Sequence, residues 1–140
     1  MSRWSTRSAT ASDIPALLAL WRRSARFASV TDSAPALRSL LAADPEALVL
    51  AEIEGALVGS LIAVWDGWRG NFYRLAVAPE QRRRGIATAL LREGERRLAA
   101  RGALRLAAVV DGEDDVATHF WQATGYRRQH DRARFVRELV

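Results

Sequence analysis

The run from Leu75 to Leu91, LAVAPEQRRRGIATALL, constrains the chain more than any other, because it joins a strand-like stretch to an amphipathic helix through a basic, glycine-containing turn. Leu75, Ala76 and Val77 read as the end of a strand that Pro79 stops. Beyond the turn, Ala87, Leu90, Leu91, Gly94 and Leu98 make an apolar stripe, and Glu93 and Arg97 stand at the favourable i,i+4 separation. Gly102 is a natural C-terminal stop for this helix. A helix that starts directly after a turn presents its first N–H groups without intrahelical partners, at the positive end of its dipole. Gly85 and Ala87 carry little or no side chain to block an anion from those groups, and Arg82, Arg83 and Arg84 add positive charge around them. The arrangement suits a diphosphate.

The flanking sequence supplies helices first and strands next. Ser12 or Asp13 can cap a helix whose first turn holds Pro15, with Ile14, Leu17, Leu18, Trp21 and Ala25 at helical spacing. A shorter helix is predicted from Ala34 to Leu41, where Leu37, Leu40 and Leu41 share a face before Asp44-Pro45 breaks the pattern. Ala47 to Ile53 and Leu57 to Trp65 are rich in β-formers and are joined by Glu54-Gly55-Ala56; Asp66 to Gly70 is a second turn, leading to a strand from Asn71 to Val77. Three antiparallel strands are the simplest reading. After the long helix come a buried strand from Leu104 to Val110, a turn from Asp111 to Asp114, a helix from Asp115 to Ala123 and a terminal strand or hairpin from Tyr126 to Val140. With no linker, repeat or low-complexity tract, residues 1–140 are read as one domain.

What the chain lacks narrows its chemistry. It has no cysteine, which excludes disulfide frameworks, thiolate nucleophiles and zinc ribbons and fits a reducing compartment. All 21 basic residues are arginine, so a P-loop lysine and a Schiff base are excluded, while the net charge of +5 favours an anionic partner. The two histidines, His119 and His130, are poorly spaced for a metal site, and no metal is expected. A polar stretch opens the chain, and the longest uncharged apolar stretch, Ala56 to Trp65, is too short to span a bilayer. No membrane partner and a cytoplasmic location follow as expectations. Nucleic acid is disfavoured, since it would want an arginine stripe interleaved with aromatics, and the arginines are instead spread among acids except at the turn before Gly85.

Arg82, Gly85 and Ala87 fill, in register, the pattern of Gln or Arg, two residues, Gly, one residue, then Gly or Ala. In this the segment resembles the acetyl-CoA signature of the GNAT superfamily of N-acetyltransferases. Leu75-Ala76-Val77 with Pro79 is similar to that family's fourth strand, Leu90-Leu91 to its third helix, Arg7 to Asp13 to its opening strand and turn, and Ala117 to Tyr126 to its closing helix and strand. The resemblance implies an α/β fold with a mixed, mostly antiparallel sheet splayed between strands 4 and 5 and flanked by about four helices, the pantetheine arm of acetyl-CoA lying in the gap. It further implies that backbone groups of Leu75 and Val77 pair with that arm as an added strand would, that the diphosphate rests on residues 83–88, and that Ala76, Arg82, Arg83, Arg84, Gly85, Ile86, Ala87 and Thr88, with Asp114, Ala117, Phe120 and Trp121, complete the cofactor-binding set.

Direct attack of an amine on the thioester, without a covalent enzyme intermediate, is implied by the same resemblance. The backbone N–H of Val77 is the candidate donor to the developing oxyanion. Where relatives carry a tyrosine as general acid this chain has Trp121, whose indole cannot serve; Tyr126 and Tyr73 are the remaining phenols, and His119 lies on another face of the helix. Asp114 stands where many relatives have asparagine, and a helix cap explains it as well as cofactor contact does. No carboxylate occurs from Asn71 to Val77 or from Leu104 to Val110, so the base is left open among Glu52, Glu54, Asp66, Glu80, Glu113 and water. Trp65, Trp68, Phe72 and Tyr73 are candidate walls of an acceptor cleft, and Arg69 and Arg74 candidates to orient a substrate carboxylate. The acceptor expected is a small-molecule amine or a peptide N-terminus; a non-catalytic acyl-CoA sensor or partner-binding protein is the competing reading. Relatives often pair, which admits a homodimer.

Overall fold

Strand β1 (Trp4–Ser8) runs beside β2 (Leu48–Ile53), β2 beside β3 (Ala56–Trp65), and β3 beside β4 (Gly70–Val77), each pair antiparallel, while β5 (Leu106–Ala108) lies parallel to β4. A parallel neighbour needs a crossover, and α3 (Ile86–Ala100) supplies it. Between β1 and β2 the chain forms α1 (Ile14–Ser24) and α2 (Ala34–Ala43), and α4 (Asp115–Ala123) follows β5. The computed structural model describes residues 3–24 and 28–140; Ala25, counted above in the first apolar stripe, lies outside the described residues. These residues fall into two compact units, 1–108 with the whole sheet and 109–140 with α4. The expected mixed, mostly antiparallel sheet and four helices are therefore present.

The core of the first unit sits where α3 lies on the sheet. Ile86, Leu90, Leu91, Gly94 and Leu98 are its buried stripe, over the sheet face that carries Gly59, Leu61, Ala63 and Phe72. Gly94 permits the close approach: a Cβ added there would stand 2.8 Å from Leu61 Cδ2 and 2.9 Å from Phe72 Cε1. The half-buried flank of the stripe carries the predicted pair, with Arg97 Nε 2.8 Å from Glu93 Oε2. Burial alone would raise the Glu93 pKa, but Arg97 and Arg96 outweigh it and the net shift is downward. Ile14, Leu17, Leu20 and Trp21 are the buried face of α1.

Local chemistry revised several sequence expectations. Neither Ser12 nor Asp13 starts α1 as a simple cap; a short 3-10 turn over Ala11–Asp13 precedes it, and Asp13 reaches back to accept the Thr10 N–H at 2.8 Å. Ala56 belongs to β3, so the β2–β3 connection is the two residues Glu54 and Gly55, with φ of 50° and 82°, the positive values a tight hairpin demands. The predicted buried strand over 104–110 contracts to Leu106–Ala108: Leu104 is 99% exposed, and the ladder to β4 covers only Gly70, Asn71 and Phe72. The predicted terminal strand or hairpin over 126–140 is absent: no residue there pairs in a ladder, and a lone strand has no stability of its own.

Candidate functional site

The parallel pairing stops at Phe72, and the backbone of β4 changes at the next residues. Tyr73 pairs with Ile62 and Ala76 with Ser60, so two residues of β4, Arg74 and Leu75, stand opposite the single residue Leu61. This is a β-bulge, and Arg74 sits in it at φ 52°, a conformation few non-glycine residues adopt. A bulge bends its strand, and the ladder to β5, which ends at Phe72, stops short of it. Past it, Ala78 N–H donates to Val58 O at 2.8 Å. Because amides alternate sides along a strand, Ala76 also faces β3, and the N–H groups of Leu75 and Val77 face the opposite, β5 side.

The chain then turns through residues 79–85 into α3. Pro79–Gln81 form a 3-10 turn, Arg83 takes φ 64°, and Gly85, the residue before the helix, takes φ 84°. The first intrahelical bond is Ala89 N–H to Gly85 O at 3.0 Å. Gly85 has no side chain to cap the helix, so the N–H groups of Ile86, Ala87 and Thr88 are the donors of an uncapped N-terminus. A Cβ added at Gly85 meets nothing within 4 Å, so the approach is open. Arg82, Arg83 and Arg84 are exposed around the turn, and Arg84 donates to Gln81 Oε1. Ile86 is a different kind of member: its side chain is buried at 1% and packs the helix down, leaving only its backbone for a ligand. Together these groups can hold an anion by backbone donors, dipole and arginine charge.

In the second unit, Asp114 caps α4, its Oδ1 accepting the Ala117 N–H at 3.0 Å. The half-buried Trp121 ring meets Phe120 edge-on with centroids 5.7 Å apart and Tyr126 edge-on at 5.0 Å. Tyr126 N–H donates to Trp121 O at 3.0 Å, which folds the phenol back onto the indole. Trp121 thus acts as a packing surface within this unit.

Acceptor-side expectations were met unevenly. Phe72 is core at 1% exposure, whereas Tyr73 is 41% and Trp68 70% exposed. Arg69 lies 4.0 Å over the Trp68 ring at the tip of the β3–β4 turn, where Asp66 Oδ1 accepts the Trp68 and Arg69 N–H groups. Arg74 is not held ready for a substrate carboxylate: Asp32 grips it, with Arg74 Nε 2.9 Å from Asp32 Oδ1 and Nη2 bonded to Oδ2. Sequence reasoning passed over Asp32 and Ser60. Ser60 had a visible signal, as the one hydroxyl inside the apolar run 57–65, and it is the only buried polar residue of the described chain. Among the described residues, no three His, Asp or Glu side chains gather as a metal site would need, and no helix is long and apolar enough to cross a membrane.

Comparison with known proteins matches residues 14–126 to the Acetyltransferase (GNAT) family. An acetyltransferase of Sodalis glossinidius (strain morsitans) is 33% identical over 117 residues, covering 84% of this chain and 82% of the relative. The PaiA N-acetyltransferase of Thermoplasma acidophilum, solved in complex with coenzyme A, superposes with a TM-score of 0.79 at 18% identity over 91% of each chain. The aminoglycoside N-acetyltransferase AAC(6')-Iy in complex with CoA superposes with a TM-score of 0.76 at 17% identity, over 100% of this chain and 97% of its own. At such identities the two structures establish a shared fold.

Proposed function

The chain belongs to the acetyltransferase (GNAT) family, and from that premise we propose that residues 1–140 act as one N-acetyltransferase domain that moves the acetyl group of acetyl-CoA to a primary amine of a small molecule or a peptide N-terminus. The observation that carries the reading is the junction of β4 and α3, where backbone donors of an uncapped helix end, three arginines and the β5-facing N–H groups of Leu75 and Val77 lie on one continuous segment.

In this reading the neutral amine attacks the thioester carbonyl, a C–N bond forms, the C–S bond breaks, the proton the amine loses passes to water, and CoA leaves as its thiolate. The N–H groups of Ile86, Ala87 and Thr88, with Arg82, Arg83 and Arg84, hold the diphosphate. Leu75 and Val77 offer their free backbone edge to the pantetheine arm, as a sheet edge accepts an added strand, and the Val77 N–H donates to the carbonyl oxygen as charge develops. Asp114, Ala117, Phe120 and Trp121 are assigned to the cofactor by family position; Trp121 serves by packing, since indole donates no useful proton. Thiolates leave without assistance, so transfer proceeds without a tyrosine at that position. An aminoglycoside, the substrate class of one structural neighbour, is disfavoured here because a net charge of +5 repels a polycation.

Calorimetric titration with acetyl-CoA tests this first, with an Arg84→Glu, Gly85→Glu double variant checked for folding by thermal melt. Micromolar binding by the wild type, lost in the folded variant, is expected; an amine panel followed by free CoA release then identifies the acceptor. Equal binding by both proteins sinks the site assignment. Binding with no CoA release from any amine favours the non-catalytic reading, which the indole at position 121 motivates.

A further inference from the structure

The bulge in β4 holds an arginine in a conformation that glycine would adopt more readily, and the surrounding residues show what keeps it there. The carbonyl of Arg74, in the bulge, accepts the Ser60 hydroxyl at 2.9 Å. Ser60 Oγ in turn accepts the Trp21 indole N–H at 2.9 Å. Ser60 is 0% and Trp21 3% exposed, so water cannot replace either bond, and no buried side-chain nitrogen or oxygen among the described residues lacks a partner. Removing the Ser60 hydroxyl takes its acceptor from the buried Trp21 indole N–H. The Arg74 side chain is secured separately: its guanidinium lies 5.6 Å from the centroid of the Trp21 ring and is forked by Asp32. Asp32 is itself fixed in the α1–α2 connection, where its Oδ2 accepts the Ser29 N–H at 3.0 Å.

We infer that Trp21 and Ser60 are positioning residues that set the bulge, and with it the aim of the Leu75 and Val77 N–H groups, and that the Asp32–Arg74 pair couples the α1–α2 connection to the same strand. The inference rests on the acetyl-CoA reading of β4. Alignment of those donors is decided at Arg74, since a bulge that relaxed would shift each later residue of β4 by one place and turn Val77 toward β3. The α1–α2 connection then communicates with the reacting end of the cofactor through a charged pair, and so tunes how the arm is held.

Ser60→Ala, which keeps the packing volume, tests the relay against two ligands: acetyl-CoA, and 3′-phospho-ADP, which has the diphosphate but no pantetheine arm. Acetyl-CoA affinity is expected to fall about fivefold to tenfold, the scale of one or two buried hydrogen bonds, with 3′-phospho-ADP affinity unchanged within about twofold. Amide hydrogen exchange at residues 73–77 should accelerate relative to the β1–β2 ladder in the same sample. Asp32→Asn, at a partly buried side chain and checked for folding by thermal melt, should give the same split at a smaller scale, about twofold to threefold. A wild type that binds neither ligand defeats the cofactor reading. A wild type that binds both, while Ser60→Ala weakens the two equally or leaves both affinities and the exchange pattern unchanged, overturns the relay alone.

Discussion

Strands β2 and β4 belong to one sheet and have opposite fates. β2 has a neighbour on each side along its length, and Leu48, Val49, Leu50 and Ala51 are all at most 1% exposed. β4 has two neighbours only over its first three residues; beyond Phe72 it bulges, and residues 73–77 are exposed or half-buried. The backbone polarity of β2 is consumed by the ladder, whereas part of that of β4 remains available. Stability is thus concentrated in one strand and binding capacity in the other, and mutations should separate the two.

The largest effect is expected at the closed strand. Leu50→Ala, at a fully buried position, should destabilise the fold by about 2–5 kcal/mol, read as a fall in the denaturant midpoint, with acetyl-CoA affinity of the folded fraction unchanged. Loss of affinity there at full stability would erase the contrast. Next comes Arg83→Glu with Arg84→Glu beyond the end of β4: acetyl-CoA affinity should fall about tenfold to a hundredfold and its salt dependence flatten, while the melting temperature stays put, because exposed charges away from buried features change stability by about 0.5 kcal/mol or less. Smaller again, Gly85→Ala should cost about 1 kcal/mol of stability because φ is 84° there, while weakening the ligand more than a matched Gly55→Ala in the β2–β3 turn, which bears the same positive-φ penalty at φ 82° with no ligand role.

The smallest effect sharpens the comparison by pH. On the closed side, Arg7 forks Asp13 at 2.8 Å and also reaches Glu52 of β2 at 3.3 Å. The Arg7 hydrogen bonds, against the opposing effect of burial, bring the Asp13 carboxyl down to about 2. A carboxylate depressed on folding stabilises the native state fully above its unfolded value, about 3.9, and loses that contribution as pH falls through its folded value. Asp13→Asn should therefore lower stability by about 1 kcal/mol or less near neutrality, given the half-exposed arginine, and the gap to wild type should close between about pH 4 and pH 2. A gap that persists unchanged at pH 2 would show the carboxylate acting through shape rather than charge.

Much of this division was legible in the chain itself. The β4–α3 junction was readable because each property there is local: proline and glycine fix the turn, helical spacing fixes the stripe from Leu90 to Leu98, and arginines cluster in consecutive positions. The capping of α4 by Asp114 and the Glu93–Arg97 pair follow from spacing in the same way. The extents of β5 and of the C-terminal segment were not legible, since strand formation depends on a partner, and the apolar residues Phe135, Val136 and Leu139 do not say whether one is present.

Local sequence by itself determined the order of strands and helices, the anion-suited helix start at Gly85 and the arginine charge around it, because backbone torsions and i,i+4 spacing act between near neighbours. Only tertiary structure decided that Arg74 would sit in a bulge, that Ser60 and Trp21 would satisfy its carbonyl, and that Asp32 would take its side chain. Those contacts join residues 14, 39 and 42 positions apart; which hydroxyl meets which carbonyl across such distances is set by the register of β3 against β4 and the docking of α1, neither of which any local pattern encodes.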